Sequence, residues 1–321
     1  MKPHFHTNKI QTFETSSEEA SPRLSTPNAA NIALIVVTYY PGALFIKRIQ
    51  SAASQFKLVV LVDNSESEQQ QQKLRDLESG NFNVILNQSN VGLGNALNAG
   101  CKRAMELDCE WSVTLDQDTE LCPDFLSGML EAWKDSCPST VLLGSNYYNV
   151  SRSAFRVAPS SVPLAHQKIT VITSGCLTHL PTWSAIGMFR GDYFIDSIDH
   201  EFCLRARQAG FTVAINSQAR MKHTIGDKLE YRMPIAKLAP YRHSIGRKYT
   251  SARNSLRTVI DYASREPLWC VKTILGMTYE LIAIIFLEPD KRLRLRAFSL
   301  GLLHGCRGIL GPVPAQLRDL E

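Results

Sequence analysis

The stretch VTLDQDTE, residues 113–120, places two carboxylates, Asp116 and Asp118, on either side of Gln117 at the end of a short apolar run. In an extended chain residues two apart point the same way, so both carboxylates face one place. Left alone they repel, and one of them tends to hold a proton. A hard divalent cation relieves that repulsion, and Mg²⁺ or Mn²⁺ binds one or two carboxylates together with substrate phosphates. The pair therefore points to a metal and a phosphate ester, although a solvated acidic loop carries the same triplet.

A second constellation is IDSIDHEFCLRARQAGF, residues 195–211. Asp199 and Glu201 fall at the start of an amphipathic helix, where acids interact well with the helix dipole even without a catalytic role. If the chemistry is displacement of a nucleoside diphosphate from a sugar, a carboxylate must take a proton from the acceptor hydroxyl. Asp199 is the candidate. Glu201 can orient it or bind the acceptor, and Arg205 and Arg207 suit these acids as helix-surface partners. Asp63 closes the apolar run LVVLVDNS and can accept from the N3–H of a pyrimidine. Gly92, Gly94 and Gly100 in NVGLGNALNAG allow backbone to approach a nucleotide, while Asn90 and Asn98 serve equally as caps of the adjoining turn and helix. The glycines form neither a P-loop nor a dinucleotide fingerprint.

The elements that must position these groups are legible as alternating patterns. IALIVVTYY, 32–40, is a continuous β-rich run that closes at Pro41-Gly42 and reads as a strand buried on both faces. A helix through Leu44, Ile49 and Ala53, the strand LVVLVD, a glutamine-rich helix from Glu68 to Leu77, the strand FNVILN, the glycine-rich helix and the strand WSVTLD follow. This alternation predicts an α/β fold, an open and largely parallel central sheet with helices on both faces, whose ligands bind beyond the carboxyl ends of the strands. Thr38-Tyr39, Asp63-Asn64 and Asp116-Gln117-Asp118 place polar residues in phase at three such ends. Beyond Pro123 the pattern predicts a helix over 124–136, the strand VLLGSNYY, a polar insertion to Gln167, a hairpin from ITVITSGCLTHL, a helix built on Phe202, Leu204 and Ala206, and a last strand, TVAI.

Residues 1–30 lack apolar periodicity and read as a flexible tail, residues 31–228 as the catalytic unit, and 229–321 as a basic helical extension. The net charge of +5 is unevenly placed: ten Lys/Arg lie from Arg220 to Arg257, against Asp227 and Glu230. The eight cysteines are scattered with no CxxC pair, which argues against a zinc module or a disulfide framework and reads as reduced thiols in the cytoplasm. Thr273 to Leu287 is apolar but shorter than a bilayer span and contains Glu280. With Lys291 to Arg296 behind it, this segment fits a core helix or one lying on an anionic membrane surface. The arginines and aromatics of YRHSIGRKYTSARNSLR are read as such a surface rather than as a nucleic-acid site.

In order along the chain, VVTYYPG, VDNS, NVGLGNALNAG, LDQDT, TSGCLT, IDSIDHEFCLRARQAG and KHTIGD resemble family 2 glycosyltransferases of the GT-A fold. DQDT with IDSIDHEFCLRA and HTIGD resembles, more narrowly, the bacterial rhamnosyltransferases of O-antigen and other surface polysaccharides. The resemblance covers Ile32 to Asp227. It implies that Thr38, Tyr39 and Asp63 hold the base and that Asn90, Gly92 and Asn98 flank the nucleotide. Asp116 and Gln117 would lie at the nucleotide sugar, Asp116 meeting ribose or metal, with Asp118 on the metal and His223 near metal or diphosphate. Asp199 matches the general base of the family's Glu-Asp pair. Ile198 replaces that pair's glutamate, which keeps Glu201 as a second candidate. The resemblance further implies a single in-line displacement with inversion, dTDP-L-rhamnose as donor, a lipid-linked glycan as acceptor, and no nucleic-acid partner. Arg247, Tyr249, Arg253 and Asn254 resemble a segment that follows the catalytic domain in rhamnosyltransferases, and equally suit a helix packed on that domain. Alternatives from the residues alone are a different UDP- or GDP-sugar donor, a sugar nucleotidyltransferase, which would carry a glycine-rich basic loop after its first strand where VVTYYPG has none, and a non-catalytic nucleotide-sugar-binding module.

Overall fold

The computed structural model describes residues 24–150, 153–223, 231–232, 237–238 and 243–318. The boundary expected near Lys228, and Asp227 of KHTIGD, lie outside them, as does the tail through residue 23. Residues 24–30 belong to the folded body. Leu24 packs on the core, and the Ser25 carbonyl accepts from the indole N–H of the buried Trp111 at 3.0 Å, so the expected tail is too long at its C-terminal end.

The first half alternates strand and helix: β1 Ile32–Thr38, α1 Phe45–Ala53, β2 Leu58–Asp63, α2 Glu68–Arg75, β3 Phe82–Leu86, α3 Leu93–Glu106 and β4 Trp111–Asp116. Then come β5 Glu120–Leu121, α4 Phe125–Lys134, β6 Thr140–Asn149, β7 Ala154–Phe155, β8 Ala165–Gln167, β9 Cys176–His179, α5 Leu180–Ala185, α6 Ile198–Gln208 and β10 Thr212–His223. The two-residue strands β11 Tyr231–Arg232 and β12 Lys237–Leu238 pair with each other. Helices α7 Ile245–Tyr262, α8 Pro267–Phe286, α9 Lys291–Arg307 and α10 Ala315–Arg318 close the chain.

The main sheet runs β3-β2-β1-β4-β9-β6-β10-β5, with β7 on β6 and β8 on β10. β3, β2, β1 and β4 are mutually parallel, as are β6 and β10, and β9 lies antiparallel between β4 and β6. The segment expected as a hairpin thus supplies one central strand, because Cys176–His179 finds its partners in β4 and β6 rather than in its own chain neighbours. The last strand extends well beyond TVAI. Register shifts around Asn216 to Met221 absorb the polar NSQAR and carry the chain on to His223.

β1 is buried on both faces, and its side chains divide by parity as a period of two requires. Ala33 and Ile35 pack with Val60, Val62, α3 and α6; Ile32, Leu34 and Val36 pack with Val59, Leu61, α1 and α4. In register, Thr38 stands opposite Asp63 and Val37 opposite Asp116, so the three polar strand ends reach one level of the sheet.

Helix α9 crosses α7 at backbone contact. A Cβ at Gly301 would lie 2.5 Å from the Tyr249 carbonyl, and one at Gly305 2.5 Å from that of Arg253. Helix α8 packs on the same group through Trp269, Cys270, Ala283 and Ile284 and leaves much of its surface exposed. At twenty residues it is longer than the apolar segment read from sequence, long and apolar enough to cross a membrane, yet one side of it is committed to the protein.

Candidate active site

A cleft of about 1090 Å³ opens over the carboxyl ends of β1, β2 and β4. It is lined on one side by Thr38, Tyr39, Asn64, Asn90 and Gly92, at its floor by Asp116, Gln117, Asp118 and His223, and on the far side by Asp199, His200, His243 and Arg247.

Asp116, Asp118 and His223 converge, with ligand atoms all within 4.8 Å of one another. His223 is buried, its Nε2 3.7 Å from Asp116 Oδ2 and its Nδ1 3.7 Å from Asp118 Oδ1. The ring is held by a hydroxyl chain: Thr119 Oγ1 is 2.7 Å from His223 Nδ1 and 2.8 Å from Ser174 Oγ, which accepts from the Asp116 amide at 3.1 Å. With Nδ1 bonded in this way, Nε2 beside Asp116 is the nitrogen available to a cation. Burial pushes the Asp116 carboxyl up to about 6; the positive field of His223 lowers it, Asp118 and Asp199 raise it, and Arg247 lowers it. Two carboxylates and an imidazole form a donor set for a divalent ion of the Mg²⁺ or Mn²⁺ type, and a cation there would offset the cost of ionising Asp116.

Asp63, at the end of β2, is fully buried just beneath the cleft. Its Oδ1 accepts from Thr38 at 2.7 Å and Ser65 at 2.8 Å, while Oδ2 is buried with no hydrogen-bond partner among the described residues. A buried carboxylate oxygen left this way suits a donor brought by a ligand. Tyr39 is half exposed at the rim. Gln117 lines the cleft and also ties the end of β1 to that of β4: its amide donates to the Tyr39 carbonyl at 3.1 Å and accepts from the Tyr39 N–H at 2.8 Å. Asn90 accepts from the Gly92 N–H at 2.9 Å and shapes the turn into α3. Gly92 has φ +83°, and a Cβ there would come within 2.6 Å of the Phe194 ring and 2.8 Å of its carbonyl. Asn98 lies off the cleft, both ends of its amide spent on Phe189, donating at 2.9 Å and accepting at 3.0 Å.

The two acids of α6 part company. Asp199 lines the cleft, its Oδ1 accepting from the His200 amide at 2.8 Å. Glu201 is buried off it: Arg205 donates to both its oxygens at 3.1 and 2.7 Å, and Tyr262 of α7 donates at 2.9 Å. With every oxygen engaged, it acts as a bolt between α6 and α7 rather than as a base or acceptor contact, which corrects its place beside Asp199. Arg207 likewise pairs with Glu266 at 2.6 Å.

The loop before α6 is unusual, with positive φ at Phe194 (64°), Asp196 (71°) and Ser197 (60°), conformations that side chains other than glycine resist. Helix α7 holds it there. Asn254 Nδ2 donates to the carbonyls of Tyr193, Ile195 and Asp196 at 2.9, 2.8 and 3.0 Å. The fully buried Arg253 donates to Tyr193 at 2.9 Å and to Gly311 at 2.6 Å, and Asp196 accepts from Arg247 and Thr250 at 2.6 Å each. The basic extension is thus a brace for the loop that leads to Asp199, and it puts Arg247 into the cleft within the field of Asp116. Sequence reasoning gave no role to Ser174, Thr119, Asp196 or Tyr262. Ser174, Thr119 and Asp196 fall inside the quoted motifs TSGCLT, LDQDT and IDSIDHEF, whereas Tyr262 left no signal.

Residues 33–197 match the family model described as glycosyl transferase family 2. The dTDP-rhamnosyl transferase RfbF of Shigella flexneri is 28% identical over 302 residues, 88% of this chain and 97% of the relative. Among solved structures, GalNAc-T7 with UDP, GalNAc and Mn²⁺ superposes with a TM-score of 0.56 at 14% identity over 88% of this chain; the chain spans 57% of that protein's length. The mannosyltransferase PcManGT of Pyrobaculum calidifontis, in complex with GDP-Man and Mn²⁺, gives 0.52 at 11% identity over 89% of this chain and 88% of that one.

Proposed function

Because the chain belongs to glycosyl transferase family 2, we propose that this glycosyltransferase moves L-rhamnose from dTDP-L-rhamnose to a hydroxyl of a lipid-linked glycan, with inversion, as a step of surface polysaccharide synthesis. The observation that carries the chemistry is one cleft with Asp116, Asp118 and His223 at its floor and Asp199 across from them. The donor rests on the relative from Shigella flexneri, whose length this chain nearly spans. All eight cysteines are unpaired, which supports a reducing cytoplasmic setting.

In this reading the Asp63 oxygen that has no partner accepts from the thymine imide, with Thr38 fixing the carboxylate and Tyr39 covering the base. Asp116, Asp118 and His223 would hold Mg²⁺ or Mn²⁺, which would supply positive charge to the diphosphate. Arg247 adds a fixed positive charge from α7. Asp199 takes the proton of the acceptor hydroxyl as its oxygen attacks the anomeric carbon. The new glycosidic C–O bond forms as the sugar–phosphate C–O bond breaks, and the electron pair leaves with the diphosphate. Inversion follows from one displacement.

The test is donor binding and hydrolysis by the purified protein across a panel of dTDP-, UDP- and GDP-sugars with Mg²⁺, Mn²⁺ or chelator. The expected result is metal-dependent selection of dTDP-L-rhamnose that Asp118→Asn abolishes. Selection of a UDP- or GDP-sugar withdraws the rhamnosyl assignment, and near-normal turnover by Asp118→Asn removes the metal from the mechanism.

A further inference from the structure

Helix α8 is two-sided in an uncommon way. Leu268, Val271, Leu275, Ile282 and Phe286 are all exposed, Leu268 by 74% and Phe286 by 70%. At 100° per residue the exposed side forms an arc of roughly 160° that, apart from Thr278 within it, Tyr279 and the bordering Lys272, carries only apolar side chains. No carboxylate lies on it. Glu280 points the other way and meets the buried Lys248 of α7 at 3.1 Å, and Lys248 also meets Glu288 at 2.6 Å.

The charge around this face has one sign. From Arg265 to Arg296 the exposed cations are Arg265, Lys272, Lys291, Arg292 and Arg296, against the single exposed acid Asp290. Arg265 precedes the helix, and Lys291 and Arg292 follow the exposed Phe286 end, so cations bracket an apolar strip about 30 Å long. Apolar side chains that enter the acyl boundary, with Lys and Arg reaching anionic headgroups at both ends, are what an interfacial helix needs. Crossing the bilayer would pull Glu280, Trp269 and Ile284 from their partners, so the helix lies in the interface plane.

We propose that the exposed face of α8 docks the enzyme on an anionic lipid bilayer surface. This deepens the lipid-linked acceptor reading above and rests on it for its purpose, but not for its test. Full-length protein is floated with vesicles of phosphatidylcholine alone or mixed with phosphatidylglycerol, at low and high salt. Binding is expected on the anionic vesicles only and weakened by salt. Leu275→Glu/Ile282→Glu should weaken it at least about tenfold, and Lys291→Glu/Arg292→Glu should abolish the preference for anionic lipid, each with an unchanged circular dichroism spectrum. Hydrolysis of soluble donor should stay unchanged in these variants, because none of the four residues lines the cleft. The proposal is overturned if the wild type stays off anionic vesicles, or if binding survives both pairs of substitutions. It is also overturned if light scattering shows a dimer that Leu275→Glu/Ile282→Glu dissolves while vesicles bind nothing, which assigns the face to a second copy. No nucleotide sugar enters the vesicle assay, so a wrong donor cannot mimic these failures.

Discussion

Substituting Asn254 by alanine should separate catalysis from donor binding. Its Nδ2 is the donor to the Ile195 and Asp196 carbonyls and shares the Tyr193 carbonyl with Arg253. Asn254→Ala leaves the Tyr193 carbonyl with Arg253 and deprives the other two, at a cost of about 1–2 kcal/mol each. The total, about 2–4 kcal/mol, acts on a loop already strained by three positive φ angles at roughly 1 kcal/mol or more apiece. Since about 1.4 kcal/mol is a factor of ten, relaxation of the loop should lower kcat by up to about one and a half to three orders of magnitude as Asp199 leaves its position. Donor KM should change by less than about threefold, because Asp63 and Asp116 close strands β2 and β4, and Asp118 lies in the turn just after β4, none of which α7 braces. The assay is steady-state transfer at several donor concentrations, with thermal melting of the same preparations. A Tm lowered by several degrees with kcat intact would show that the clamp stabilises the fold without positioning the base, and would refute the reasoning.

The paired acids of α6 give a second contrast. Asp199→Asn should keep donor affinity and lose transfer by about 10²-fold or more, whereas Glu201→Gln, which breaks a buried ion pair, should cost about 3–5 kcal/mol of stability while the folded fraction still turns over; transfer lost only in Glu201→Gln would make Glu201 the base. His179 and His243, each held down to about 4 from the ordinary 6.5, His179 by burial and His243 by burial and then Arg247, bind protons more readily unfolded. Their contribution to stability is complete above about pH 6.5 and lost as pH falls towards 4, so urea midpoints should drop between pH 7 and 5, less so in His179→Gln. Gly92→Ala places a methyl group against Phe194 at positive φ and should weaken donor binding about tenfold or more, measured by titration with the nucleotide alone.

The parallel half of the fold and its three polar strand ends were legible because continuous apolar runs have no other home than a strand covered on both faces, and such strands end together. What a side chain does with its polar atoms was not legible. Gln117, Asn98 and Glu201 have the residue types of ligand contacts, yet their atoms go to Tyr39, Phe189, Arg205 and Tyr262, partners that only the folded chain supplies. β9 was hidden for a related reason: four residues between two strands of distant sequence carry no local mark of a centre strand. The brace of α7 on the loop at Phe194 to Ser197 spans more than fifty residues, and its basic sequence signals a surface while its Arg253 is among the most buried side chains of the molecule.

The glycine contacts between α9 and α7 bear on how a map of mutational tolerance would look. Any single-nucleotide missense change in a glycine codon adds at least a Cβ, and at Gly305 that atom would press on the carbonyl of the residue that grips the Tyr193 carbonyl. A saturation screen scored on glycan output should therefore mark Gly301 and Gly305 as intolerant as the acids of the cleft. Clustered by distance from the cleft they would look like outliers; traced along the backbone from α9 through Arg253 to the loop of Asp199, they belong to what supports it.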